Sequence, residues 1–212
     1  MGPIRTAYLT AARSAVRLLG DPAVARLWNS PSALAEFGVA GLAGHLASQV
    51  FQVEAVLAEP VPPGEPIDLL DHYARGVWVG AGVDAEVNVG IRRVGEKIAE
   101  EGPDALTART AEAVQRLAEA LAAEPAQRVV HLARGPWSLT LDDFLTTRLM
   151  EIAVHSDDLA VSVDVPTPDL PAEAIDPVVS LLARLAVRRR GQPAVLRALA
   201  RAERAPADVT AF

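Results

Sequence analysis

A chain of 212 residues that is half apolar but only 4% aromatic has to build its core from Ala, Leu and Val, a composition that favours helices. The net charge of −7 is spread over short clusters, and "RRR" at 188 to 190 is the one dense basic run, so the phosphate-tracking stripe of a nucleic-acid binder is missing. The absence of cysteine excludes disulfides, thiolate metal ligands and a sulfur nucleophile carried by the protein, so any thiol chemistry has to use an external thiol.

The first helix is expected from about Pro3 to Trp28, with Ile4, Tyr8, Leu9, Ala12, Val16 and Leu19 at helical spacing. "WNSPSALAEFG" reads as a loop, and a second helix spans about Val39 to Ala58. "EPVPPGEP" interrupts the chain, because Pro60, Pro62, Pro63 and Pro66 fix φ and remove backbone donors. A third helical stretch is expected over Ile67 to Glu100, loosened by its glycines, and a fourth over Asp104 to Ala123.

"QRVVHLARGPWSLTL" places β-branched residues around a Gly-Pro turn signal and predicts a short hairpin. Thr140 with Asp143 is a helix start, and the helix behind it runs to about Ser162. After "DVPTPDLP" follow helical pieces over Ala172 to Arg190 and Pro193 to Ala202. The expected architecture is mainly all-α: a helical bundle over residues 1–165 with a hairpin connector, and a C-terminal helical extension over 166–212 packed on it. No apolar run reaches the roughly 20 residues that span a bilayer, and polar residues interrupt the N-terminus where a signal peptide is apolar, so a cytoplasmic protein is expected. Lys97 is the single lysine among twenty basic residues, a usage typical of a GC-rich bacterial genome.

Within "LTTRLMEIAVHSDDLA", Phe144, Arg148, Glu151, His155 and Asp158 fall along one helical face beside Leu145, Leu149, Ile152 and Leu159. A carboxylate and an imidazole directed toward the interior need compensation, since an unpaired buried charge costs several kcal/mol. One compensation is a Glu-to-Arg contact with His155 bonded to a carbonyl. The other is a divalent metal, for which imidazole and carboxylate one helical turn apart are natural ligands.

His45 in "GLAGHLASQVFQVE" is either a satisfied core histidine or a third ligand, and its stripe continues through Ser48, Gln49 and Gln52. Two histidines, a glutamate and an open position form the donor set of a catalytic rather than a structural zinc site. Asp84, Asn88 and Arg92 share one face, either in contact with ligand or exposed to solvent. His72, among charged neighbours in "DLLDHYARG", reads as a solvated surface residue, and His131 as a residue paired across the hairpin. The glycines of "VAGLAG" and "WVGAGV" follow no strand and suit close helix packing rather than phosphate binding.

"WNSPSALAEFGVAGLAGHLA", "GPWSLTLDDFLTTR" and "TTRLMEIAVHSDDLA" together resemble the mycothiol-dependent maleylpyruvate isomerase family, within the DinB-like superfamily of metal-binding four-helix bundles. The resemblance implies His45, Glu151 and His155 as ligands of a divalent metal, usually zinc, with Arg148 and Asp158 supporting them. It implies mycothiol as cosubstrate and a small electrophile as substrate, with Ser48, Gln49, Gln52, Asp84, Asn88 and Arg92 as candidate contacts. In the isomerase version a thiolate adds to a cis double bond, the new single bond rotates, and elimination gives the trans product; in the transferase version the thiol stays attached. Asp157, where the family commonly carries a bulky residue, and the short C-terminal region are departures that bear on the substrate. The other readings are metal-dependent hydrolysis and a non-catalytic binding or regulatory bundle. No nucleic-acid or membrane partner is expected, and the chain is a monomer or a homodimer.

Overall fold

A computed structural model describes residues 1–77, 79–132 and 135–212. Helix α1 (Pro3–Leu19) opens with proline at its first position and buries Ala7, Tyr8, Ala11, Ala12 and Ala15 along one side. It ends at Gly20 rather than at Trp28. Asp21, extended ahead of Pro22, accepts from the Ala23 N–H at 2.8 Å and starts a new short helix, α2 (Pro22–Arg26). A residue before proline is disfavoured in helical conformation and an aspartate there is a good cap, so Gly-Asp-Pro splits the expected helix.

Helix α3 (Val39–Ala58) occupies the predicted span. The expected third helix is broken instead into α4 (Leu69–Arg75) and α5 (Glu86–Ala99). Asp68 caps α4 by accepting from Leu70 N–H at 2.7 Å. The turn before α5 is tied to that helix, with Asn88 donating to the carbonyls of Ala81 and Gly82 and Arg92 to that of Val83. Trp78, within "WVGAGV", lies outside the described residues.

Helix α6 (Pro103–Ala123) precedes the hairpin of β1 (Val129–His131) and β2 (Ser138–Thr140), antiparallel with Val130 opposite Leu139 and His131 opposite Ser138. Residues 133 and 134 of the expected turn lie outside the described residues. Strand β2 runs directly into α7 (Leu141–Ser162), where the Thr140 hydroxyl accepts from Asp143 N–H at 3.1 Å and donates to its carboxylate at 2.8 Å. That reciprocal cap fixes where α7 begins, and therefore the height of everything along it.

The bundle is α1, α3, α6 and α7, with α1 and α3 each packed against both α6 and α7. Its centre is aliphatic, with Leu42, Leu46, Leu106, Leu117, Leu145 and Leu149 fully buried. Helix α5 lies on the outer side of α3, closer than side chains allow: a Cβ on Gly44 would overlap the Gly95 carbonyl oxygen, and one on Gly95 would meet that of Gly41. The glycines of "VAGLAG" are thus packing residues, as their spacing suggested.

Arg5 is the other long-range fastener. Its guanidinium, on a residue only 4% exposed, donates to the carbonyls of Leu121, Glu124 and Pro125 at the end of α6 and pairs with Asp142 at 2.9 Å. Helix α8 (Ala172–Arg190) packs on α1 and α7 through Ala174, Val178, Leu181 and Leu185. It ends in the "RRR" run, placed to favour its dipole, with Arg190 paired to Asp208 and Arg188 donating to the Leu70 carbonyl. Helix α9 (Gln192–Ala200) and a 3-10 turn at Ala202–Arg204 follow.

Candidate metal centre

His45 comes from the first half of α3; Glu151 and His155 come from successive turns of α7. Their ligand atoms lie within 4.8 Å of one another. The Nε2 atoms of His45 and His155 are 3.2 Å apart, and Oε2 of Glu151 is 3.1 Å from His155 Nε2 and 3.8 Å from His45 Nε2. Two close-packed helices and one helical turn bring together residues 110 positions apart.

The tautomers follow from the neighbours. The Asp158 carboxylate lies 2.9 Å from Nδ1 of His155, so Nδ1 keeps a proton in either charge state and Nε2 is the atom turned to Glu151 and His45, donating to Glu151 when the ring is cationic and presenting a lone pair when it is neutral. Gln49 is oriented by Arg148, whose Nη1–H donates to its Oε1 at 2.5 Å and turns its amide NH2 toward His45. The two hydrogens of that amide have the His45 carbonyl at 2.9 Å and the Ser48 hydroxyl at 3.2 Å as acceptors. The same amide nitrogen also lies 3.3 Å from Nε2 of His45.

Three electron-pair donors converging at such distances repel one another unless a proton or a cation lies among them. Burial pushes the His155 pKa down, but the hydrogen bonds of Asp158 and Glu151 outweigh it and bring it up to about 9. Burial pushes Glu151 up, yet its bonds to His155 and His45 and the charge of Arg148 hold it well below the usual carboxylate range. Burial lowers the His45 pKa, against the pull of Glu151. The metal-free cluster thus holds its proton on His155, beside an ionised Glu151. A tetrahedral ion with N and O ligands at about 2.0–2.2 Å would separate neighbouring donors by about 3.3–3.5 Å; the observed 3.1, 3.2 and 3.8 Å bracket that spacing. The donor set fits a divalent ion.

The cluster lies on a cavity of about 570 Å³. Phe51 and Val56 of α3 and Ile91, Val94 and Ile98 of α5 give it an apolar side. Ser48, Gln52, Asn88, Thr147 and Arg148 line it as well. Arg148 is held by neutral groups: beyond Gln49 it donates to Gln52 Oε1 at 3.1 Å and Thr147 Oγ1 at 3.0 Å, with its guanidinium carbon 5.4 Å from the Phe144 ring centre. These contacts fix it without neutralising it.

The remaining candidate contacts fall elsewhere. Gln49 is fully buried behind Arg148, Asp84 is exposed in the turn before α5, and Arg92 is turned to the Val83 carbonyl. His131 is an exposed partner of Ser138 in the hairpin. His72 is the main correction: it is 5% exposed and lines the cavity. Its acidic and basic neighbours drew attention to the outer face of α4, whereas Leu69, His72 and Tyr73, at i, i+3 and i+4, form the inner one.

The chain is a four-helix bundle that gathers two histidines and a glutamate, a group that could hold a metal ion, at the wall of a cavity. Residues 9–160 match the mycothiol maleylpyruvate isomerase N-terminal domain, a DinB-like family, and the chain belongs to that family. No curated protein and no solved structure matches it.

Proposed function

We propose that this protein is a metal-dependent enzyme that activates a low-molecular-weight thiol, mycothiol, for isomerisation of, or S-transfer to, a small electrophile. The observation that carries the reading is the convergence of His45, Glu151 and His155 on a cavity large enough for a substrate. Family membership supports the thiol, and the absence of cysteine leaves no protein sulfur to compete for ion or electrophile.

His45, Glu151 and His155 hold the ion, zinc by the character of its donors. A bound divalent ion supplies a Lewis acid that lowers the pKa of an incoming thiol, as it does that of water. Asp158 keeps the proton on Nδ1 of His155 and so keeps Nε2 directed at the ligand position. Arg148 offers a positive charge to the cavity, fixed by Gln49, Gln52 and Thr147, where it favours thiolate over thiol. The α5 side offers the electrophile an apolar wall through Ile91, Val94 and Ile98. The reading places the enzyme in the cytoplasm, acting on small molecules rather than nucleic acid.

The test is elemental analysis of untagged protein purified without chelators, beside Glu151→Ala and His155→Ala. Near one equivalent of zinc, lost in both variants while the helical circular dichroism is kept, is expected, with turnover that requires added mycothiol. Full occupancy in both variants, or ester hydrolysis that needs no thiol, would overturn it.

A further inference from the structure

Among the described residues, His72 is the buried titratable group on the cavity to which the reading above gives no work. Trp137 Nε1, which can only donate, lies 3.0 Å from His72 Nδ1. Nδ1 must then be the acceptor, and the neutral ring carries its proton on Nε2. Burial, reinforced by the Arg148 charge, lowers the His72 pKa to about 4, so the ring is neutral near pH 7. Trp137 is itself held in place. Gly135 leaves room for its indole, since a Cβ there would stand 2.7 Å from the ring. The Ile67 N–H donates to the Ser138 carbonyl at 2.9 Å, which ties the hairpin to the segment entering α4. The hairpin therefore has a task at the cavity: it fixes one tautomer of one histidine.

A neutral imidazole that presents N–H is an electrophilic partner for an oxygen gaining negative charge. We propose that His72 is a further catalytic residue, whose Nε2–H donates a hydrogen bond to the carbonyl oxygen of the bound electrophile, with Trp137 as its positioning residue. The inference rests on the thiol-addition reading and narrows it to electrophiles whose double bond is conjugated to a carbonyl. In that step a sulfur electron pair forms the C–S bond at the β carbon, and the C=C pair shifts to give an enolate whose oxygen carries the negative charge. Elimination returns that pair, restores the carbonyl and expels the thiolate; where the thiol stays attached, the enolate instead takes up at its α carbon the proton that the thiol released, and neither outcome requires an oxidant or reductant. Alkyl halides and epoxides develop no such charge at a carbonyl oxygen and gain nothing from His72.

The experiment uses histidine-labelled ¹⁵N NMR of the zinc-loaded protein and of the chelator-treated protein, in which only four histidines report. His72 is expected to show the Nε2–H tautomer, and Trp137→Phe to convert it to a mixture. The Nε2–H resonance should move on addition of 2-cyclohexenone and stay still with cyclohexene. Where mycothiol adds to 2-cyclohexenone, His72→Leu should lower kcat about a hundredfold with KM within about threefold, while His72→Gln, whose amide can donate from the Nε2 position, should retain most of it. An Nδ1–H tautomer, a resonance that 2-cyclohexenone leaves unmoved or that both compounds move alike, or equal losses in the Leu and Gln variants would overturn the proposal. A correct tautomer and an enone-specific shift without thiol addition would overturn the thiol reading and leave the role of His72 as carbonyl donor standing.

Discussion

The Asp158 carboxylate and Nδ1 of His155, one helical turn apart on α7 and 2.9 Å distant, form the carboxylate–histidine pair that commonly supports a metal ligand. Asp158→Asn keeps the size but lets the amide donate as well as accept, so the His155 tautomer is no longer dictated. Zinc affinity should fall about ten- to a hundredfold, measured by competition with a chromophoric chelator. Thermal unfolding of the metal-free protein should change far less. Unchanged affinity would mean that Asp158 does not orient the ligand.

Protons and metal compete for the same atoms. The His155 pKa of about 9 in the metal-free protein lies above the roughly 6.5 of an unfolded histidine, so its contribution to stability is complete below about pH 6.5 and is lost as the pH rises through 9. A zinc ion bound through Nε2 of His155 would have to displace that proton. Its apparent affinity should therefore rise about tenfold per pH unit between 7 and 9 and then level off, with close to one proton released per ion near pH 7. Calorimetry in buffers of different ionisation enthalpy counts that proton; a count near zero would contradict the assignment.

The acid side has a different origin. His72 is depressed to about 4 by burial and by Arg148, so the stability it contributes is complete above about pH 6.5 and is lost as the pH falls through 4. Denaturant midpoints measured from pH 7 to 4 should fall less steeply in His72→Gln than in the parent. Parallel profiles would show that another group governs acid unfolding.

Much of this site could be read along α7 alone. The Thr140–Asp143 cap sets the start of the helix, and the 3.6-residue period then places Arg148, Glu151, His155 and Asp158 on one face without any knowledge of their partners. His45 was legible as a buried imidazole on α3. What escaped the sequence depends on distant segments. His72 owes its tautomer to Trp137, 65 residues away, and Arg5 finds its acceptors more than a hundred residues downstream. Asn88 lines the cavity but also closes its own turn, as Arg92 does, a local use that face sharing on a helix does not reveal. The break at Gly20, by contrast, was written locally in Gly-Asp-Pro.

Gly44 precedes His45 and touches the α5 backbone at Gly95. Gly44→Ala should therefore force α3 and α5 apart and cost about 1–3 kcal/mol, in the range of overpacked cores, while moving the His45 ligand and weakening zinc binding. Gly90, also helical but with open space where a Cβ would stand, supplies the contrast: Gly90→Ala should be neutral or stabilise by up to about 1 kcal/mol through helix propensity. Equal effects of the two substitutions on denaturant midpoints would show that the α3–α5 approach is not tight in solution.

Arg5 replaces the water that would otherwise satisfy the last carbonyls of α6. It also bridges α1 to Asp142 in the first turn of α7, so three of the four bundle helices meet at one guanidinium. Arg5→Met retains much of the aliphatic length but leaves three carbonyls and the carboxylate to find other partners. The Asp142 side chain is 42% exposed and can turn to solvent, so the loss comes mainly from the carbonyls, at about 1–3 kcal/mol for each buried group left unsatisfied. The expected total, read from denaturant midpoints, is about 3 kcal/mol, because the groups nearest the surface recover water. Arg5→Lys should restore only part of it, since one ammonium cannot reproduce the planar fork. Zinc affinity should stay unchanged in whatever fraction remains folded, because the fastener acts on the assembly of the helices and touches none of His45, Glu151 and His155.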